Sequence, residues 1–330
     1  MLINKQIFLK ETPQGKLSNS HFETISSDIA SPDNGKALIE TLYISIDAAN
    51  RAWMQGRTYR DQILPGNLMA GFALGKIIET KSDNFKVGDI VEGDLGWQNY
   101  SLKSENEIDK AHIISSLSLH MSVLGITGRT AYFGMKLADL KKEDTVLISA
   151  AAGAVGNVAG QIAKIKGCRV IGITGSEEKA KWLTQDLGFD GVVNYKNGNL
   201  VKDLKELCPN KVDVYFDNVG GDIFETIMFG MNNHGRVICC GALSQYDQAP
   251  PKNGPRGIPG IIVTKRLSLR GFIVMDFDGQ KEEANKQLLE WINNKELLVA
   301  EDIVEGLENA PSALIGLLNG KNKGKRIVKI

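Results

Sequence analysis

The segment TVLISAAAGAVGNVAGQIAKIKGCRVIGITGSEEK, residues 145–179, decides the fold. It opens with the short apolar run TVLIS, turns through small residues, and continues as an amphipathic helical stretch, VGNVAGQIAKIKG, before the second β-rich run RVIGIT. That is strand, helix, strand, the signature of a βαβ unit in a parallel sheet. At the turn, Gly153 and Gly156 let the backbone approach a pyrophosphate. With Ala154 and Val155 they open a helix whose N-terminus offers free N–H donors and a partial positive charge. As a string this is a glycine-poor variant of the dinucleotide fingerprint; its strand-turn-helix setting makes a dinucleotide site the stronger reading than a merely tight turn.

The same rhythm runs on through SEEKAKWLTQDLGF, GVVNY, the helical LVKDLKELC, the apolar VDVYFDNVGG, a helical IFETIMFGMNNHG and the strand RVICCG. SLRGFIV, residues 268–274, supplies a sixth strand, enough for a complete dinucleotide-binding sheet, a Rossmann doubly wound α/β fold. Upstream, from Lys36 to Tyr100, short β-rich runs separated by Gly, Asn and Asp turns predict a separate antiparallel lobe;. A helix near Lys281 to Asn294 precedes a tail with one more helix and a terminal β run suited to return to that first lobe. The expected division is residues 1–122 with 298–330 in the β-rich lobe and 123–297 in the cofactor lobe. QYDQAPPKNGPRGIPG, from Gln245 to Gly260, is too rich in Pro and Gly for helix or strand. It reads as a lid over the site or as a variable surface connection.

Lys plus Arg and Asp plus Glu both number 39, so no global field draws the chain to nucleic acid or to an anionic membrane;. The N-terminus lacks the apolar core of a signal peptide, and no apolar run approaches the ~20 residues of a bilayer span. A cytoplasmic enzyme is expected. Cys168, Cys208, Cys239 and Cys240 lack zinc-site spacing and read as buried thiols, and the four histidines show neither metal spacing nor a nucleophile partner;.

Cofactor choice is decided about 20 residues past the glycine turn, where NAD-preferring folds place an acid on the ribose 2′-OH. Here the strand ends Ile173-Thr174-Gly175-Ser176 with no acid, Ser176 as a helix cap, and Lys179 one turn further on. NADP(H) is therefore the expected cofactor.

With those residues in view, the chain resembles the zinc-free medium-chain dehydrogenase/reductases of the leukotriene B4 12-hydroxydehydrogenase, prostaglandin reductase and alkenal double-bond reductase branch, which includes curcumin reductase. The resemblance rests on LGITGRTAYFG from Leu124, AAAGAVGNVAGQIAKIKGC from Ala150, GSEEK from Gly175, FDNVGG from Phe216, CGALSQY from Cys240 and GKNKGK from Gly320, and it covers nearly the whole chain. It implies a GroES-like β-rich catalytic domain beside the cofactor domain, and a homodimer. It also implies that Lys179 pairs with the 2′-phosphate, Tyr195 lies against the adenosine end and Asn218 near the riboses. Cys240, Gly241, Ala242, Leu243 and Ser244 should line the nicotinamide with Phe272, Ile273 and Val274, and Asn322 should reach the cofactor from the tail.

Two departures stand out. Asp47-Ala48-Ala49-Asn50-Arg51 replaces the Asp-Pro-Tyr-Met-Arg frequent in relatives, at the substrate cleft. Tyr43-Ile44-Ser45-Ile46-Asp47 and Gly71-Phe72-Ala73 lack the Cys and Gly-His-Glu that hold zinc in the superfamily's alcohol dehydrogenases;. No metal site is expected. The chemistry implied is reduction of the carbon-carbon double bond of α,β-unsaturated aldehydes or ketones. Tyr246, just after the fifth strand, is the first candidate to hold the developing enolate oxygen, together with a cofactor ribose hydroxyl. Tyr59, in the loop Gly56-Arg57-Thr58-Tyr59-Arg60, is the candidate from the other lobe. A quinone reductase of the same superfamily and a non-enzymatic NADPH-binding sensor are the alternatives.

Overall fold

The computed structural model describes residues 2–247 and 257–330. The first lobe holds β1 (Ile3–Leu9), β2 (Phe22–Asp28), β3 (Lys36–Ser45), α1 (Ala49–Gln55), β4 (Phe72–Thr80), β5 (Ile90–Asp94), β6 (Tyr100–Ser104) and β7 (Ile108–Lys110). Next come α2 (Leu117–Met121), α3 (Ile126–Leu137), β8 (Thr145–Ile148), α4 (Ala154–Ile165), β9 (Arg169–Thr174), α5 (Glu177–Gln185), β10 (Gly191–Asn194) and α6 (Leu200–Leu207). The remainder is β11 (Val212–Asp217), α7 (Gly221–Gly230), β12 (Met231–Cys239), α8 (Leu243–Tyr246), α9 (Ile258–Lys265), β13 (Ser268–Gly271), α10 (Lys281–Asn293), β14 (Glu301–Glu305), α11 (Ala310–Leu318) and β15 (Lys325–Lys329).

Six strands form a parallel sheet in the order β10-β9-β8-β11-β12-β13. The order reverses between β8 and β11, and ligands of open α/β sheets bind outside the strand ends at such a switch point. Strand alternation feeds a core on each face: Val146, Ile148, Val214, Phe216 and Ile238 pack with α3, α4 and α10, whereas Leu147, Tyr215 and Val237 pack with α6, α7 and α9;. Each fully buried Val, Leu or Ile contributes about 1.5–3 kcal/mol, so the near-continuous apolar text of these strands is what two covered faces demand.

The other sheet runs β14-β15-β3-β4-β5-β7, with β6 on β3. The terminal run does return to the first lobe: β15 pairs antiparallel with β3, Ile327 opposite Ser45. The hairpin of β1 and β2, the helix α1 and the strand β14 were not among the predicted elements.

Three boundaries differ from the sequence reading. The helix predicted over IFETIMFGMNNHG stops at Gly230, because Met231 already pairs with Val212, and Asn232 is turned onto Asp213 Oδ1 at 2.7 Å and Asn210 O at 2.9 Å. The sixth strand ends at Gly271, so Phe272, Ile273 and Val274 are not strand residues: Val274–Gln280 is a 3-10 helix, and Phe272 packs edge-on against Phe277. The predicted structureless segment Gln245 to Gly260 is helical at both ends, in α8 and in α9, which carries Pro259 in its first turn, the position where a missing N–H costs nothing;. Residues 248–256 of that segment lie outside the described residues.

Candidate active site

The candidate cofactor cleft is built first by the β8-α4 turn. Gly153 caps α4, and the first intrahelical bond runs from Asn157 N–H to Gly153 O at 3.1 Å, which leaves the amides of Ala154, Val155 and Gly156 to an anion;. A Cβ on Gly156 would stand 2.5 Å from Ala150 O and 2.8 Å from Ala151 Cα, so only glycine brings the helix this close to the strand;. The tail closes over the turn, with Gly324 N–H donating to Ala152 O at 2.9 Å. Asn322, buried in that loop, donates to Gly324 O at 2.9 Å, which leaves its Oδ1 available. This cradle of free amides and a bare Gly156 fits a dinucleotide pyrophosphate.

At the tip of β9, Ser176 caps α5, its Oγ accepting Lys179 N–H at 3.3 Å. The nearest acid, Glu177, is turned away onto the side-chain amides of Asn194 and Asn197 at 2.7 and 3.3 Å, and these bonds hold its carboxyl below the usual range. Lys179 Nζ donates to Gly320 O at 2.7 Å. Burial, then the neighbouring Arg326, lowers its pKa, as Lys196 also does. A side chain on Gly175 would meet the Tyr195 ring at 3.0 Å and the Lys196 chain at 3.1 Å. The bare glycine therefore lets Tyr195 and Lys196 lie over the end of the strand. Lys196 was not singled out in the sequence; its only signal there was its place after Tyr195.

At the switch point one buried carboxylate organises the loops. Asp217, 3% exposed, accepts from Ser149 Oγ at 3.0 Å, Tyr215 OH at 2.6 Å, and the N–H groups of Val219 and Gly220, both at 3.0 Å, while its backbone oxygen takes the Cys240 and Gly241 amides. A polar group this deeply buried is tolerated only when donors satisfy it. Asn218 Nδ2 is tied to Ser149 O at 2.8 Å, and Asn218 O accepts Leu243 N–H. Asp217 and Ser149 thus carry Asn218 and the Cys240–Ser244 segment, a role the sequence reading did not assign. Burial, with Asp217 behind it, pushes the Cys240 thiol up to about 12, so it stays a neutral thiol.

Tyr246 closes α8. Its hydroxyl accepts the Ala242 N–H at 3.2 Å, so its own proton is free to be donated;. From the other lobe, Tyr59 stacks edge-on to Trp53 with ring centroids 6.2 Å apart. Desolvation first, then the Asp47 carboxylate and Tyr246, raise its pKa, so the phenol keeps its proton and lies within electrostatic reach of Tyr246. Asp47 is fixed by the buried ammonium of Lys325 at 2.5 Å and by Ser45 Oγ. Tyr59 is 52% exposed, and Asp47 and Tyr246 act on it through space rather than by contact, while Phe272 sits against Phe277 and Gly134.

A second tie joins the lobes beside Tyr246. Arg51, fully buried, donates from Nε to Asp247 Oδ1 at 3.0 Å and from Nη2 to Gly15 O at 2.8 Å, and Leu17 N–H reaches the same Asp247 oxygen at 2.8 Å.

Residues 5–111 match a family model described as the N-terminal domain of oxidoreductase, and residues 154–294 one described as zinc-binding dehydrogenase. Among the described residues no group of three or more His, Cys, Asp or Glu is placed to hold a metal ion. Prostaglandin reductase 1 of Bos taurus is 38% identical, over 100% of this chain and 100% of its own length. NADPH-dependent curcumin reductase of Escherichia coli (strain K12) is 33% identical over 99% and 97%. The crystal structure of CurA from Vibrio vulnificus in complex with NADPH is 35% identical with a TM-score of 0.93, covering 98% of both chains. An Escherichia coli quinone oxidoreductase complexed with NADPH, 22% identical with a TM-score of 0.79 over 99% of this chain and all of its own, shares the fold. The chain belongs to the NADP-dependent medium-chain dehydrogenase/reductase family that contains prostaglandin reductase 1, curcumin reductase and 2-alkenal reductase.

Proposed function

We propose that this chain reduces the carbon-carbon double bond of α,β-unsaturated aldehydes and ketones at the expense of NADPH. The observation that carries the reading is Tyr246, whose hydroxyl is held by the Ala242 amide with its proton unspent, at the sheet's switch point and within electrostatic reach of Tyr59. The amides of Ala154, Val155 and Gly156 would hold the pyrophosphate; Lys179, with Ser176 and Tyr195, would hold the 2′-phosphate and adenosine. Asn218, Asn322, the Cys240–Ser244 segment and the side chains of Phe272, Ile273 and Val274 would border the riboses and nicotinamide. When bound, the reduced nicotinamide supplies hydride for the β-carbon. The Tyr246 O–H would hydrogen-bond the carbonyl oxygen as it gains enolate charge, the Tyr59 phenol would cap the same oxygen from the first lobe, and the enolate would collapse to the saturated carbonyl by taking a proton at its α-carbon from water or a tyrosine. Asp47 and Lys325 position that lobe's edge of the cleft.

The functional division we propose is residues 1–122 with 298–330 for substrate and 123–297 for cofactor, in a cytoplasmic homodimer. No helix among the described residues is long and apolar enough to cross a membrane. The test is NADPH oxidation with 2-alkenals, cyclic enones, quinones and no acceptor, in EDTA throughout, with product analysis. Saturated carbonyl products from enals or enones support the proposal. Turnover with quinones alone assigns quinone reduction instead, and cofactor binding without turnover assigns a sensor.

A further inference from the structure

A cavity of about 760 Å3 opens between α3 and α10 of the parallel-sheet lobe and β5 and β7 of the first lobe, and none of its lining residues belongs to the cofactor cleft or the tyrosine pair. That volume falls in the range of small-molecule sites. Its inner wall carries Arg129, which is 8% exposed and makes no side-chain hydrogen bond or ion pair among the described residues. Glu92 and Asp278 attract it at longer range, but the Glu92 carboxylate faces Lys281 at 3.7 Å. The other acids, Asp109, Glu282 and Glu290, stand on the exposed rim with Lys110, Lys286 and His112.

Two more groups point to a ligand. Asn285 Oδ1 is buried without a hydrogen-bond partner. His120, 4% exposed, accepts the Ile114 N–H on Nε2 at 3.1 Å, so its proton sits on Nδ1. Burial, with Arg129 and His112 close by, lowers its pKa and keeps it a neutral donor. Leu124 and Leu289 give the same wall an apolar strip. A guanidinium this little exposed, with no protein partner and its nitrogens open only to the cavity, keeps five donors to offer a ligand;.

We propose that this cavity binds a small hydroxylated oxyanion, a hydroxycarboxylate or a phosphate ester, with the anion on Arg129, a ligand hydroxyl at the Asn285 side-chain amide, and a short carbon chain along Leu124 and Leu289. Because α3 and α10 come from one lobe and β5 and β7 from the other, an occupant ties the two together.

The experiment is isothermal titration of the full-length chain, saturated with NADP+ so that the cofactor's own phosphate positions are filled. The probes are L-malate, glycerol 3-phosphate and inorganic phosphate. We expect one equivalent of malate or glycerol 3-phosphate to bind more tightly than inorganic phosphate, and Arg129→Met to weaken it by about tenfold or more, as loss of a charge-assisted bond requires. The malate and glycerol 3-phosphate arms separate a carboxylate from a phosphate ligand. Without probe, Arg129→Met should melt no lower than the parent chain, because it removes an unpaired buried charge. Asn285→Leu, at a half-buried position, gives an independent reading: the preference for the hydroxylated probes over inorganic phosphate should vanish. No heat from any probe at millimolar concentration, or equal affinities in the parent chain and Arg129→Met, overturns the proposal, and neither result bears on enone reduction.

Discussion

Because the Tyr246 hydroxyl already accepts the Ala242 N–H, its geometry is set before substrate arrives and its proton has no other acceptor within α8. Tyr246→Phe keeps the ring and removes that donor. Turnover on several enones should fall, by about a hundredfold where one oxyanion donor is lost and less if Tyr59 compensates, while NADPH affinity stays near that of the parent chain. Stopped-flow measurement of the hydride step checks this, and an unchanged rate would remove Tyr246 from the chemistry. The 2′-phosphate pocket proposed around Lys179 makes a second prediction at the same scale. Lys179→Ala should weaken NADPH binding by about ten- to a hundredfold and leave NADH binding nearly unchanged, read by cofactor fluorescence without turnover. Lys196, beside Tyr195 over Gly175, should bring the loss toward the lower figure, and Lys179→Ala with Lys196→Ala should exceed it.

Elements whose meaning is local were legible in the sequence, and those settled across long separations were not. The β8-α4-β9 unit was readable because three adjacent runs each carry their own period, and the missing acid after Thr174 needed no partner to be noticed. Phe272–Val274 misled, because three apolar residues look alike in a strand or stacked beside one; only the packing of Phe272 on Phe277 separates the cases. Asp217 looked like one more residue in FDNVGG, since its donors come from β8, its own strand and the following turn. The Arg51 to Asp247 contact spans 196 positions, and no periodicity marks it. That pair fastens α1 to the residue after α8, so it acts on Tyr246 through position rather than contact with substrate. Asp247→Ala leaves a buried guanidinium without its carboxylate and should cost up to about 3 kcal/mol in urea unfolding. It should lower kcat while cofactor affinity holds. Combining it with Arg51→Met should recover much of the stability but not the rate, since the charge is gone and the tie to α8 is not restored; recovery of both would show that the pair serves stability alone.

At the scale of the molecule, the six-stranded sheet ends on β13, whose outer edge has no strand beside it among the described residues. An open edge with apolar surroundings invites pairing with another chain unless something covers it. Val263 on α9, which leads into β13, is 73% exposed, and Met275 just beyond it is 42% exposed. Two copies related by a two-fold axis would bring β13 against β13, join the parallel sheets into one, and cover both apolar side chains with the same patch of the partner. The expected state is a homodimer, with sedimentation equilibrium at micromolar concentration giving twice the chain mass of 36.0 kDa. Val263→Glu with Met275→Glu places four like charges at that seam, two from each copy, and should shift the chain to monomer without altering the hydrogen bonds that shape the cofactor cleft. NADPH affinity in the monomer should therefore match that of the dimer. A parent chain that sediments as a monomer would show that the β13 edge is shielded within one copy, and a charged variant that stays dimeric would place the interface on another face.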